Sequence, residues 1–215
     1  MPTLREKLPI TSLVFSCKFV PSIRNCKTIN LKIMARLKAI NPDEATGKTK
    51  ELFDTVQSKM GMVPNMMRTM GNSSAALNGY LGFNTALNSA SIGSKLGELI
   101  SLTVANENEC NYCNAAHSYI GEKIGLTADA INNARKGTSA DPKINAALVF
   151  AKDILNSKGH VSDASIKNVK DAGYGEAEIV EIVAKVSLSI YTNYINILAD
   201  TDIDFPKVTP INKNN

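Results

Sequence analysis

Two cysteines and a histidine lie close together near the middle of the chain. Cys110, Cys113 and His117 are separated by three and four residues, so on a helix their side chains share one face. A free thiol titrates at about pH 8.5, and its ionised form is the one that attacks. A helix N-terminus at Cys110 favours the thiolate of that residue, whereas the nearby His117 favours the thiolate of Cys113. Spacing alone leaves open which sulfur is the nucleophile.

The close cysteine pair is suited to a redox cycle. Oxidation of one sulfur to a sulfenic acid, followed by condensation with the other, gives a disulfide. Residues three apart on a regular helix have Cβ atoms about 5–6 Å apart, but a disulfide needs about 3.5–4.5 Å. We therefore expect the first helical turn after Cys110 to be distorted.

Zinc binding is the other use of such a cluster. Cys110, Cys113, His117 and Glu98 offer two thiolates, an imidazole and a carboxylate, which together make an acceptable set of four zinc ligands. His160 follows Gly159 in a polar segment, and we interpret it as a residue without a chemical role.

Cysteine usage and charge narrow the function classes. Four cysteines in 215 residues, with Cys17 and Cys26 distant from the central pair, are too few for a disulfide scaffold. We expect this chain to be cytoplasmic. In a cytoplasmic protein a closely spaced pair of cysteines is redox-active or metal-binding. Residues 1–38 hold eight Lys or Arg and one acid, so the rest of the chain carries about −3 of the total +4. Basic residues outside the folded body do not indicate nucleic-acid binding.

The N-terminal part differs from the rest of the chain. We divide the sequence into a basic extension, residues 1–33, expected to be poorly ordered, and a helical domain, residues 34–215. The apolar run at 8–20 is interrupted by Pro9 and Lys18. It is therefore a poor match to an export signal, and the sequence predicts no membrane-spanning segment.

Helix start and stop signals recur from residue 41 onward, and no segment alternates like a strand, so the sequence predicts an all-α fold. Asn41, Pro42 and Glu44 predict the start of a helix whose apolar face includes Phe53 and Val56. The other helices are predicted from capping residues and apolar spacing: from Ser73 or Ser74, from Ser94, from Cys110 to Lys123, after Thr127, from Asp141, after Ser162, and from about Glu176 to Asn196.

Two apolar segments stand out. The last predicted helix is apolar almost all round between Ile179 and Ile195, so it is either central to the core or shared with another subunit. Five of the seven methionines lie between Met60 and Met70. Flexible thioethers fit ordinary core packing, and they also fit an adaptable apolar pocket or interface.

The central motif resembles that of a known family. Glu98, eleven intervening residues and then Cys110-x-x-Cys113-x-x-x-His117 is similar to the motif of the alkylhydroperoxidase D (AhpD)-like branch of the carboxymuconolactone decarboxylase family. The resemblance extends over about residues 35–208. It includes Gly-Met-Val-Pro-Asn-Met-Met at 61–67, Gly-Tyr-Leu-Gly-Phe at 79–83 and Asp-Phe-Pro at 204–206.

This resemblance implies an activity and roles for the residues. It implies that Cys113 attacks a hydroperoxide through a sulfenic acid and that Cys110 is its proton donor and disulfide partner. Glu98 and His117 are implied to form a proton relay. The implied protein is an all-helical homo-oligomer, a trimer or hexamer, without a cofactor. It reduces alkyl hydroperoxides in antioxidant defence with electrons from an external dithiol. The sequence contains no motif that recognises a donor, so a lipoyl protein, thioredoxin and the monothiol glutathione all stay open as the reductant.

The sequence departs from the family pattern at one position of the motif. The best-known members have a second histidine between the cysteines, where this chain has Tyr112. The decarboxylases of the family lack the cysteine pair, so its presence argues against lactone decarboxylation. Two alternatives stay open: a disulfide reductase that recycles a peroxiredoxin, and a non-catalytic zinc-binding or structural helical oligomer.

Overall fold

The computed structural model describes residues 35–211. The predicted extension at 1–33, with Cys17 and Cys26, lies outside the described residues. Within them all regular secondary structure is helical, which confirms the predicted all-α class. The elements are a 3-10 turn at Pro42–Glu44, α1 (Gly47–Met60), α2 (Asn65–Met70), α3 (Ser74–Leu87), α4 (Gly93–Glu107), α5 (Asn111–Lys123), α6 (Ala128–Arg135), α7 (Pro142–Ser157), α8 (Asp163–Asp171) and α9 (Glu176–Ala199).

Most helix starts lie at the predicted capping residues. The side chains of Ser73, Thr127, Asp141 and Ser162 each accept a backbone N–H from the first turn of the helix that follows. Each bond satisfies one of the N–H groups that a helix start leaves without an intrahelical partner. Local sequence therefore determines where these four helices begin.

The region before α3 differs from the prediction. Asn41 caps only the short 3-10 turn, and α1 begins separately at Gly47, whose φ is +54°. The chain turns there because glycine adopts the left-handed region without strain. The predicted break after Gly61 contains an additional short helix, α2, which the sequence analysis missed. Pro64 precedes α2 and has a conformation that suits a helix start.

Helix α4 lies at the centre of the domain and is buried along almost its whole length. It packs against α5, α6, α7 and α9. One apolar cluster joins the middle of α4 to α6, α7, α8 and α9. A second joins its C-terminal end to α1, α2, α3 and α5, and this second cluster contains both cysteines of the motif.

Helix α9 is less uniformly apolar than the sequence analysis predicted. Lys185, Ser189, Thr192 and Asn196 follow one another at spacings of four, three and four residues, so they form a polar stripe along one face. Among the described residues α9 is the one helix long and apolar enough to cross a membrane by length and composition. It instead packs against α2, α3, α4, α5 and α7, as a core helix does.

Candidate active site

A tight turn between α4 and α5 places the first cysteine. Glu109 has a left-handed backbone conformation with φ of +57°, which is uncommon for a residue other than glycine. The N–H of Cys110 then donates to the carbonyl of Ala105 at 2.9 Å. Cys110 becomes the N-cap of α5, with an extended backbone at φ −81° and ψ 93°.

This extended cap brings the two sulfurs together. Cys110 and Cys113 are joined as a disulfide with a Cα–Cα distance of 5.3 Å. Cys113 lies in the first turn of α5, and its N–H donates to the sulfur of Cys110 at 3.3 Å. The predicted distortion of the first turn is confirmed, because Cys110 lies outside the regular helix. Both residues are almost completely buried.

Glu98 and His117 form the second part of the site. Nδ1 of His117 lies 2.7 Å from Oε2 of Glu98, in a partly buried pair between α5 and α4. The ammonium of Lys185 approaches the other carboxylate oxygen at 3.8 Å. Burial of Glu98 opposes its ionisation, but the charge and hydrogen bond of His117 and the charge of Lys185 together outweigh it. The pKa of Glu98 therefore lies below its ordinary value.

An amide on α9 contacts the second sulfur. Nδ2 of Asn196 donates to Sγ of Cys113 at 3.3 Å. Oδ1 of the same buried amide has no hydrogen-bond partner. A hydrogen bond to the ionised form of a group favours that form, so Asn196 is placed to stabilise a thiolate at Cys113 once the disulfide is reduced.

A cavity of about 260 Å³ connects these groups. Cys113, Glu98 and His117 all line it, and so does the polar stripe of α9. Cys110 does not line this cavity. Most of the remaining wall is apolar, and its side chains include Met60, Met66, Met67, Leu87, Ile92 and Phe205. The methionine-rich segment thus contributes both to the core and to the cavity.

Two tyrosines shape this cavity. Tyr112, between the two cysteines, accepts the N–H of Met66 at 3.2 Å and packs edge-on against Phe205 with ring centroids 5.8 Å apart. Its ring therefore helps to hold the start of α2 and one wall of the cavity. Burial, followed by the negative charge of Glu98, raises the pKa of Tyr80. Tyr80 thus stays protonated beside the carboxylate.

The structure unites the four predicted site residues and adds two that sequence reasoning missed. Lys185 and Asn196 lie on α9, far from the motif in the sequence. The sequence pattern that could have identified them is the polar stripe, which consists of four polar residues at helical spacing on an otherwise apolar helix. His160 is exposed and does not line this cavity.

The described part of the chain contains no group of three or more His, Cys, Asp or Glu side chains arranged to hold a metal ion. The sulfurs of Cys110 and Cys113 are bonded to one another in the structure, and ionised thiolates are the form that binds zinc.

Comparison with known families agrees with the geometry. Residues 74–153 match the model of the carboxymuconolactone decarboxylase family. In this segment the chain is similar to that family. The matched segment contains all four motif residues, so the family match and the candidate site lie in the same part of the fold. No curated protein sequence matches the chain significantly.

Several solved structures share the fold of this chain at low sequence identity. A peroxidase-related protein from Silicibacter sp. TM1040 has a TM-score of 0.71 and 19% identity over 82% of this chain and 95% of its own. The AhpD core of a peroxidase-related protein from Ralstonia eutropha JMP134 has a TM-score of 0.70 and 20% identity, covering 80% and 93%. The debrominase Bmp8 in complex with 2,3,4-tribromopyrrole has a TM-score of 0.65 and 21% identity, covering 80% and 91%. These likenesses show an AhpD-like fold.

Proposed function

We propose that this protein is a thiol-dependent hydroperoxide reductase with Cys113 as its nucleophile. One observation carries the proposal: Cys113 lines the same cavity as the hydrogen-bonded Glu98–His117 pair, whereas Cys110 does not. A substrate in that cavity meets one sulfur and one proton-transfer pair. The early position of Cys113 in α5 and the Asn196 hydrogen bond both favour its thiolate.

The proposed reaction balances with two electrons from the cysteine pair. The Cys113 thiolate attacks the terminal oxygen of ROOH, the O–O bond breaks, and ROH leaves with a proton from the Glu98–His117 relay. Cys113 is then a sulfenic acid. The thiol of Cys110 condenses with it, which releases water and forms the Cys110–Cys113 disulfide. An external dithiol restores both thiols and becomes a disulfide itself.

The cavity indicates the kind of hydroperoxide. Its volume of about 260 Å³ is many times that of hydrogen peroxide, and its wall contains methionine, leucine and isoleucine side chains. Burial of apolar surface stabilises a ligand by about 25 cal/mol per Å². We therefore propose an organic hydroperoxide with an alkyl or aryl group as the substrate.

Thiol counting tests the proposal directly. The reduced protein, with Cys17 and Cys26 replaced by Ser, is mixed with one equivalent of cumene hydroperoxide, and its free thiols are counted. We expect a loss of two thiols per chain, formation of cumyl alcohol and restoration of both thiols by dithiothreitol. Retention of both thiols at peroxide concentrations that oxidise a known peroxidase would contradict the proposal.

Further measurements separate the related alternatives. A disulfide reductase that recycles a peroxiredoxin would reduce an oxidised peroxiredoxin faster than it consumes hydroperoxide. A zinc protein would contain stoichiometric metal by atomic emission and lose structure with a chelator.

We propose a cytoplasmic location for the enzyme, where dithiol reductants are abundant.

Reductive debromination is a second candidate. The chain shares its fold with a debrominase that binds 2,3,4-tribromopyrrole, and its own cavity has room and apolar surface for an aromatic ring. In this reaction the two thiols supply the electrons: a C–Br bond becomes C–H, bromide and a proton are released, and the cysteines form a disulfide. Release of bromide from tribromopyrrole, matched by loss of two thiols, would favour this activity over hydroperoxide reduction.

A further inference from the structure

Lys185, the first residue of the polar stripe on α9, brings a positive charge to the cavity beside Cys113. Among the described residues that line this cavity it is the one lysine or arginine. The end of its side chain lies on α4, because a Cβ added to Gly97 would be 3.5 Å from Cε and 3.9 Å from Nζ of Lys185. Gly97 and Glu98, the two residues of α4 next to this ammonium, also line the cavity. The charged end of Lys185 therefore lies against the cavity wall.

This ammonium is largely withdrawn from solvent, with a side chain that is 13% exposed, and it has few partners. Its one ion pair within the described residues is with Oε1 of Glu98 at 3.8 Å, which is longer than a hydrogen bond. The other oxygen of Glu98 is bonded to His117. Lys185 donates no hydrogen bond to a described residue. An ammonium has three donors, and buried charges are normally paired and hydrogen-bonded. Lys185 therefore has donor capacity left for an anionic group.

Lys185 and the proposed nucleophile lie at different levels of the cavity. Asn196, which donates to Sγ of Cys113, follows Lys185 by eleven residues on α9, which is about 16 Å along the helix axis. On α5, Cys113 and His117 are one turn apart, about 6 Å. His117 then contacts Glu98, which lies beside the ammonium. Taken together, these two paths place the positive charge on the order of 10 Å from the sulfur.

We propose that Lys185 binds the anionic group of the substrate, which is an organic hydroperoxide with a carboxylate at its far end. The inference rests on the proposed function and deepens it, because it adds a charge requirement to the apolar substrate of that cavity. With the carboxylate at Lys185 and the hydroperoxide at Cys113, the carbon chain lies against apolar lining residues such as Met67 and Leu188. A chain of about nine carbons spans this distance, since each C–C bond of about 1.5 Å advances an extended chain by about 1.25 Å.

The position of Lys185 beside Glu98 gives it a competing role. As a partner of that carboxylate, Lys185 favours its ionised form, and this effect alone would act on every hydroperoxide alike. A site for an anionic group would instead act only on substrates that carry a negative charge. A matched pair of ligands, one charged and one neutral, therefore separates the two roles.

Ligands without a peroxide group test the anion site by itself. Nonanoate and nonan-1-ol have the same chain, and only nonanoate is charged. Titration calorimetry measures the affinity of each for the protein in the Cys17→Ser, Cys26→Ser background, oxidised with diamide so that the disulfide is intact. At low ionic strength we expect nonanoate to bind about tenfold more tightly than the alcohol, since hydrogen bonds to charged groups are stronger than neutral ones.

Variants of the lysine decide whether it is the source of this preference. Lys185→Met keeps an apolar stem and should remove the preference for nonanoate, whereas Lys185→Arg should retain it. Lys152→Met is the matched control, because Lys152 pairs with Glu107 at 3.0 Å and does not line the cavity. Circular dichroism checks the folding of each variant. Equal affinities for the two ligands in the parent protein, or a preference that persists in Lys185→Met, would overturn the inference.

Hydroperoxides of the same design test the site in the reaction. 9-Hydroperoxynonanoate and its methyl ester share the chain and the peroxide group, and stopped-flow measurement of thiol loss gives the rate constant for each. We expect the acid to react about tenfold faster than the ester at low ionic strength, and we expect this ratio to approach one in Lys185→Met. Equal slowing of both substrates by Lys185→Met would show that the lysine acts through Glu98, and the inference would be wrong. If neither hydroperoxide oxidised the parent protein while nonanoate still bound through Lys185, the proposed function would be wrong and the anion site would stand.

Discussion

Nδ2 of Asn196 donates a hydrogen bond to Sγ of Cys113 across 83 residues of sequence. A hydrogen bond to a charged group stabilises it by about 1.5–3 kcal/mol. Asn196→Ala should therefore raise the pKa of the reduced Cys113 thiol by about 1 to 2. The rate of alkylation by iodoacetamide as a function of pH measures this change. Asn84→Ala is the control, because Asn84 lines the same cavity without a hydrogen bond to either sulfur.

The two cysteines should differ in the half-reaction that each supports. Cys113→Ser removes the proposed nucleophile and should abolish hydroperoxide turnover while the protein stays folded. Cys110→Ser should allow one oxidation and then stall at a sulfenic acid or an overoxidised product. Mass spectrometry after one equivalent of hydroperoxide distinguishes these states. If Cys110→Ser alone blocked the first oxidation, the roles of the two sulfurs would be reversed.

Glu98 and His117 should act as one unit, because their side chains share a hydrogen bond of 2.7 Å. A positioned acid or base contributes about 10²- to 10⁴-fold in rate, and groups that act in series are not additive. Glu98→Gln with His117→Gln should thus slow oxidation little more than the worse single variant. Stopped-flow measurement of thiol loss provides the rates. Independent, multiplicative losses would exclude a relay.

The lowered pKa of Glu98 also predicts how the free energy of unfolding depends on pH. The unfolded carboxyl titrates near its ordinary value of 4.5, and the folded one titrates lower. Glu98 therefore contributes stability above the unfolded pKa, and this contribution is lost as the pH falls through the folded pKa. Urea unfolding should show wild type and Glu98→Gln converging in stability as the pH is lowered from about 6 through the folded pKa of Glu98, which lies below 4.5. Glu122→Gln, an exposed change on α5, should not show this convergence.

Gly71, the residue that follows α2, lies close to the ring of Phe53 on α1. A Cβ at this position would lie 2.8 Å from Cε1 of Phe53, which is buried in the core. Overpacking of a core costs about 1–3 kcal/mol, so Gly71→Ala should lower the free energy of unfolding by that amount. Gly82→Ala is the matched control on α3, where an added Cβ meets nothing within 4 Å. It should stabilise the protein by about 0.5–1 kcal/mol.

Helix α9 should contribute to a subunit interface. Val180, Tyr194 and Leu198 are each more than half exposed, and large exposed apolar side chains on one helix are typical of association surfaces. Light scattering during gel filtration should show an oligomer at micromolar concentration. Val180→Lys with Tyr194→Lys should reduce its size, and because both side chains are exposed the variant should stay folded. A monomeric wild-type protein would contradict this prediction.

Sequence alone determined the features that depend on neighbouring residues. The caps at Ser73, Thr127, Asp141 and Ser162 could be predicted because a cap bonds to a backbone N–H only a few residues away. The motif Glu98, Cys110, Cys113 and His117 could be identified because its spacing resembles that of a known family. Distortion of the first turn after Cys110 was expected because residues three apart on a regular helix are too far apart for a disulfide.

Tertiary structure decided what depends on distant segments. Lys185 and Asn196 lie in the site because α9 packs against α4 and α5. The sequence of α9 alone does not indicate which helices its polar stripe will contact. The separate start of α1 and the short α2 also depend on packing, since α2 is held by Asp204 and Tyr112 from other parts of the chain. The position of Cys113, and not Cys110, in the wall of the cavity is likewise a property of the packed domain. Spacing could place the two cysteines together, but only the surrounding helices decide which of them lines the cavity.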